Sequence, residues 1–176
     1  MRPLAALSVI PLLVAVAGCG GEAGGSCGDV GMQSIGVTYG IHPESPSALV
    51  AASDVVVVGT VARCQGLGEQ RGIVVDVEEV LAGEVPIEPV VVVDQSRIDA
   101  DGRVLGAGTP MVVDGDRAVF SLICEEETCV PAGHPGIVQE DASGDGLIVE
   151  VGSQDALRES VDGSFDRLVD ELRSAG

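Results

Sequence analysis

Two runs of four consecutive valines, at 55–58 and 90–93, constrain this chain more than any other feature. A β-branched side chain is stiff at χ1 and fits a pleated surface better than a helix. Four in succession leave no polar face, so the strand carrying them must be covered on both sides. The cover has to be aliphatic: Tyr39, Phe120 and Phe165 are the whole aromatic set, and Trp is absent. The 176 residues are therefore expected to form one mainly β domain with a core of Val, Ile, Leu and Ala.

The strands can be placed. VVVVGTVARC, from Val55, reads as a strand buried on both faces. GIVVDVEEVLAG alternates, with Ile73, Val75 and Val77 on one face and Val74, Asp76 and Glu78 on the other. Pro86 and Pro89 precede a valine strand at 90–94, and a long polar connection follows with a turn at Asp101-Gly102. DGDRAVFSLIC gives a turn and a strand from Arg117 to Cys124; GIVQED and LIVEV flank ASGDG as a hairpin.

Helical spacing occurs twice. SPSALVAASD, residues 45–54, reads as a short helix capped by Ser47. Leu157, Val161, Phe165, Leu168 and Leu172 mark an amphipathic helix over 154–174, capped by Ser153. Asp155, Glu159, Asp162, Asp166 and Asp170 form its polar face, so its apolar stripe is expected to dock on the sheet rather than on an anionic membrane.

Charge excludes several functions. The net charge is −19, which repels phosphate backbones and leaves no basic patch for nucleic acid. The three aromatics cannot build a stacking platform for single strands. All nine basic residues are Arg, so there is no Walker A lysine, no Schiff-base lysine and no S-x-x-K nucleophile. No asparagine is present, hence no N-glycosylation acceptor. No cofactor motif is found. A basic protein or a cation is the favoured partner on electrostatic grounds.

The N-terminus carries an address. Arg2 leads a 14-residue apolar run at 4–17, interrupted by Pro11 and shorter than the roughly 20 residues a spanning helix needs. Val16-Ala17-Gly18-Cys19 resembles the lipobox of bacterial lipoproteins: an aliphatic residue, two small residues and a cysteine whose thiol takes a diacylglycerol. Leu is the commoner residue where Val16 stands. The resemblance implies a signal peptide over 1–18 and lipid attachment at Cys19. Several acyl chains, at about 0.8 kcal/mol per buried methylene, make a stable anchor. The partner so implied is a membrane, the cell membrane or an outer membrane, on its extracytoplasmic side. Residues 19–45 are expected to be the lipidated Cys and a glycine-rich tether, and 46–176 the folded domain. Gly24-Gly25-Ser26-Cys27-Gly28 matches G-x-S-x-G but lacks the flanking strand and helix of a nucleophile elbow.

With Cys19 set aside, Cys27, Cys64, Cys124 and Cys129 remain. An even remainder in an exported chain points to two disulfides, for which three connectivities exist. Cys124 and Cys129 flank EEET, a stretch of hairpin-loop length, so a cross-strand bridge there is economical. Cys27 then pairs with Cys64 and ties the tether to the first strand. Zinc is the rival, but C-x4-C has no second close pair and His42 and His134 are the only histidines. No metal site is expected.

The stretch from about 47 to 124 is similar to netrin-like domains, a group that includes the tissue inhibitors of metalloproteinases and related bacterial envelope proteins. The residues that carry the likeness are Ser53-Asp54-Val55 through Val61, Val77 through Gly83, and Gly115-Asp116-Arg117 through Phe120. The resemblance implies a small, closed or partly open OB-like β-barrel, with the short helix before it and the amphipathic helix after it. The eukaryotic inhibitors chelate a protease zinc through a mature N-terminal Cys; acylation blocks that use of Cys19, so inhibition is not carried over.

The remaining motifs are weak. Asp141, Ser143, Asp145 and Gly146 resemble the opening of an EF-hand loop, but Gly152 stands where the bidentate Glu belongs, and a plain hairpin turn is the better reading. Glu125, Glu126 and Glu127 read as a solvated hairpin tip. His42 and His134 each precede a proline, with nothing placing either beside a nucleophile. The chain is thus expected to be a lipid-anchored, non-catalytic binding module. An envelope hydrolase using loop histidines and carboxylates, and a protease-inhibitor-like domain, are the alternatives.

Overall fold

The computed structural model describes residues 32–34, 43–67, 70–86, 88–98, 104–106, 112–125, 127–133, 136–144, 146–148 and 155–176. In chain order the elements are β1 (Met32–Ser34), α1 (Pro46–Ala51), β2 (Val55–Leu67), β3 (Gln70–Gly83), β4 (Val90–Ile98), β5 (Val104–Gly106), β6 (Arg117–Glu125), β7 (Thr128–Pro131), β8 (Ile137–Glu140), β9 (Leu147–Ile148), α2 (Asp155–Ser160) and α3 (Phe165–Ala175). The protein is mainly β, as its valine runs require.

Five strands close on themselves. β2 pairs antiparallel with β3 on one side and with β6 on the other. β3 pairs antiparallel with β4, and β6 with β7. β7 then meets β4 in parallel at Val92 and Cys129, completing a ring in the order β2-β3-β4-β7-β6. β8 and β9 extend the sheet from β6, while β5 and β1 extend it from β4.

The ring explains the first valine run. Val55, Val57 and Val61 face its interior and pack with Ile73, Val92 and Phe120. Val56 and Val58 face the other way, under the helices, with Val119, Leu157, Phe165 and Leu168. All four valines of the run are 0–1 % exposed. Each buried aliphatic side chain contributes about 1.5–3 kcal/mol relative to exposure, so both faces stabilise one strand. β2 must also curl. Its register against β3 shifts at three places, one of them between Val58 and Gly59. A Cβ at Gly59 would lie 2.6 Å from Val75 Cγ1 and 2.7 Å from the Asp76 carbonyl oxygen, so the approach there requires glycine.

In the second run, Val90 and Val92 join the ring interior. Val74, expected on the open face of β3, is buried too, in a row between Arg63 on β2 and Val91 on β4. The turn before β6 forms as expected: Gly115 (φ 91°) donates its N–H to the Val61 carbonyl at 2.8 Å, and Asp116 accepts the Val113 N–H at 2.7 Å.

Three expectations need correction. The first helix is capped by Ser45, not Ser47; the Ser45 hydroxyl accepts from Ala48 N–H at 3.3 Å and Pro46 takes the first helical position, where no N–H is needed. The stripe over 154–174 belongs to two helices rather than one. Asp162 (φ 51°) and Gly163 (φ 71°) turn left-handed, and Ser164 caps α3 by accepting from Arg167 N–H. The stripe nevertheless faces the sheet, with Leu157, Val161, Phe165, Leu168 and Leu172 each 0 % exposed. Finally, the segment read as a tether contains β1, whose Met32, Gln33 and Ser34 pair in parallel with Val104, Leu105 and Gly106. A three-residue strand with no apolar alternation gives periodicity nothing to detect. The Asp101-Gly102 turn and the Ser153 cap fall outside the described residues.

Candidate functional site

The expected bridge between Cys124 and Cys129 is present, with S–S 2.07 Å. It is cross-strand, since the two residues face each other in the β6–β7 register. Cys129 is 1 % exposed and belongs to the ring interior; Cys124 is half-buried beside it. Asp54 supports the β6 side: its N–H donates to the Leu122 carbonyl at 2.8 Å and its carboxylate accepts the Cys124 N–H at 3.1 Å. Cys64 is buried and disulfide-bonded as well. Cys19, Cys27, His42, His134, Glu126, Asp145 and Gly152 lie outside the described residues. Glu125 and Glu127 are exposed at the hairpin tip, as expected.

A second polar centre was not foreseen as such. Arg117, the first residue of β6, donates to Glu78 Oε2 on β3 at 2.8 Å and to Glu140 Oε1 on β8 at 3.3 Å. Thr60 on β2 donates to the other oxygen of Glu78 at 2.7 Å. The guanidinium also lies 5.1 Å from the centre of the Phe165 ring, the first residue of α3. One cation thus joins three strands to the helical layer. Partial burial pushes the Glu78 carboxyl up, but the hydrogen bonds from Arg117 and Thr60 outweigh it and hold it below the ordinary range. The hydrogen bond to Glu78 in turn holds the Arg117 proton more tightly than usual.

Other charges serve local structure. Arg173 on α3 forks onto both oxygens of Glu79 at 2.8 and 2.9 Å and reaches Asp170 at 2.6 Å. The EF-hand-like stretch is a hairpin between β8 and β9, in line with the plainer reading. Asp141 Oδ1 accepts from the Ser143 hydroxyl at 2.6 Å and from its N–H at 2.9 Å, so this carboxylate is used by its own turn. Those bonds, the hydroxyl first, hold the Asp141 carboxyl below its ordinary value. A shallow cleft of about 410 Å³ opens where β3 leaves β4, floored by Val75, Val77 and Val90 and rimmed by Asp76 and Glu88. Among the described residues no three His, Cys, Asp or Glu side chains are grouped to hold a metal, and no helix is long and apolar enough to cross a membrane.

No protein-family model, curated protein or solved structure matches this chain. Its function must therefore be argued from its own residues. These offer an oxidised hairpin on the seam of a strand ring, a filled ring interior and a strongly acidic surface.

Proposed function

We propose that this protein is a lipid-anchored, non-catalytic binding module of a bacterial cell envelope, held on the extracytoplasmic side by Cys19. The observation that carries the reading is Val16-Ala17-Gly18-Cys19 at the end of a 14-residue apolar run. The oxidised Cys124–Cys129 pair supports it, because such bonds persist in exported proteins. Cys64 is oxidised too, and with Cys19 acylated we assign its partner as Cys27.

The OB-like, netrin-like form of the domain belongs to the same proposal. It is supported by the five-strand ring, by the return of β7 between β4 and β6, and by helices packed on one side. Val57, Val92 and Phe120 fill the interior at 0 % exposure, which favours binding through the outer surface. That surface carries most of the −19 charge, so a basic protein or a cation is the fitting ligand.

Detergent phase separation of cells expressing the full chain tests the anchor. The native protein should enter the detergent phase and Cys19→Ala the aqueous phase. A Cys19→Ala variant that still partitions with detergent overturns the reading.

A further inference from the structure

The ring is closed by its shortest strand, β7. β7 has four residues, and of their side chains only Cys129 is fully buried; Thr128 is exposed, while Val130 and Pro131 are half-buried. Its ladder pairing with β4 is the single pair Val92–Cys129, beside which the two strands pack side by side. Pro131 brings no N–H to the ladder. The turn does not hold the hairpin either. Glu125 pairs with Thr128 at the end of the ladder, and Glu125 and Glu127 are both exposed there. Tight hairpin turns favour Gly, Asn or Asp, and the sequence here is glutamate. Cys129, the one fully buried side chain of β7, is therefore one half of the Cys124–Cys129 bond.

We infer that the Cys124–Cys129 disulfide is a redox latch on the β4–β7 seam, and that its reduction releases β7 (Thr128–Pro131) and opens the ring interior at Val92. The neighbouring structure stays in place on separate bonds. Ser121 N–H donates to the Gly136 carbonyl at 2.7 Å and Ala132 N–H to the Ser121 carbonyl at 2.8 Å, anchoring the chain just beyond β7. β2, β3 and β6 remain paired along their own ladders.

The step needs an external dithiol. Its thiolate attacks Sγ of Cys124, the more accessible sulfur, and the S–S bond breaks with the electron pair leaving on Cys129. The second thiol of the reductant then attacks the mixed disulfide and releases Cys124. Two electrons and two protons pass to the two cysteines, and the reductant leaves as its own disulfide. The latch goes beyond the envelope-anchor reading and does not depend on it.

Hydrogen–deuterium exchange on the full chain tests the latch without touching Cys64. In Cys124→Ser/Cys129→Ser, protection should be lost over residues 128–130 and at Val92, and kept in β2, β3 and α3. In Cys124→Ala the thiol of Cys129 should react with a maleimide in the native protein. Unchanged protection with an unreactive Cys129 overturns the latch, as does loss of protection throughout the molecule, which would make the bond a general staple. Cys124→Ala/Cys129→Val restores apolar burial without the bond. An opened seam in that variant supports the latch; a closed one shows that burial alone holds β7 and overturns it. A chain that fails to enter detergent but shows the opening would sink the anchor alone.

Discussion

Arg117 is the residue on which layers of the molecule meet. Its two carboxylate partners lie 39 and 23 residues away in sequence, and its aromatic platform belongs to a helix. Exposed ion pairs are worth about 0–1 kcal/mol and an exposed cation–π contact about 0.5–1 kcal/mol. Arg117→Met should therefore cost about 1–2 kcal/mol in urea unfolding near neutral pH. Part of that cost depends on pH. The folded-state Glu78 carboxyl lies below its ordinary value of 4.5, so its stabilisation is present above that pH and is lost as pH falls through the depressed value. The gap between native and Arg117→Met should narrow below about pH 4.5 and leave a remainder from the Phe165 contact. A gap independent of pH would mean that the Glu78 pair contributes nothing. The sequence shows Arg117 only as part of a strand motif. Its partners are fixed by strand register, and the bulges in β2 and β3 shift that register by amounts no periodicity records.

At the level of elements, what could be read was whatever repeats. The valine strands follow from unbroken β-branched runs, β3 from period-two alternation, the β8–β9 hairpin from its ASGDG turn, and the docking stripe of the C-terminal region from a 3.6-residue period. The break between α2 and α3 does not, since Leu157, Val161, Phe165, Leu168 and Leu172 keep helical spacing straight through it. The break is a helix stop followed at once by a helix start. Gly163 N–H donates to the Arg158 carbonyl at 2.8 Å and Asp162 N–H to that of Glu159 at 3.2 Å, the nested pair that ends a helix with a left-handed residue. Two substitutions read this directly, because their signs invert in a continuous helix. Asp162→Gly relieves a left-handed non-glycine residue but loses the Asp162–Arg167 ion pair; at high salt, where that exposed pair is screened, it should stabilise by about 0.5–1 kcal/mol, whereas glycine inside a helix would destabilise by as much. Ser164→Ala removes a cap and should cost about 1 kcal/mol, whereas alanine inside a helix would be neutral or better. Urea midpoints of the two variants that both move the opposite way would restore the single helix. β7 was legible only through Cys129, its single core side chain, because two of its four residues are only partly buried and one is exposed.

Over the whole molecule, two apolar clusters are built on shared strands. β2 sends Val55 and Val57 into the ring and Val56 and Val58 under the helices; β6 does the same with Phe120 and Val119. The two phenylalanines divide between the clusters, Phe120 inside the ring and Phe165 in the helical layer, and both are 0 % exposed. Neither cluster can dissolve alone. Loss of the helical layer would bare Val56 and Val58 to water on a strand whose other face still fills the ring, and such exposure costs about 1.5–3 kcal/mol per side chain. The helices and the ring should consequently unfold together. Phe165→Ala should cost about 3–5 kcal/mol, a large share of the total stability of a domain, and Phe165→Leu a milder fraction of it. In Phe165→Leu, helix content by circular dichroism and exchange protection at Val57 and Phe120 should vanish at one urea midpoint, shifted downward together. Two midpoints, with α3 lost first and the ring surviving, would show that the alternation of β2 does not couple the layers. β7 stands outside this coupling, since Cys129 is its only fully buried side chain, and the seam can open at a redox event that leaves the shared strands intact.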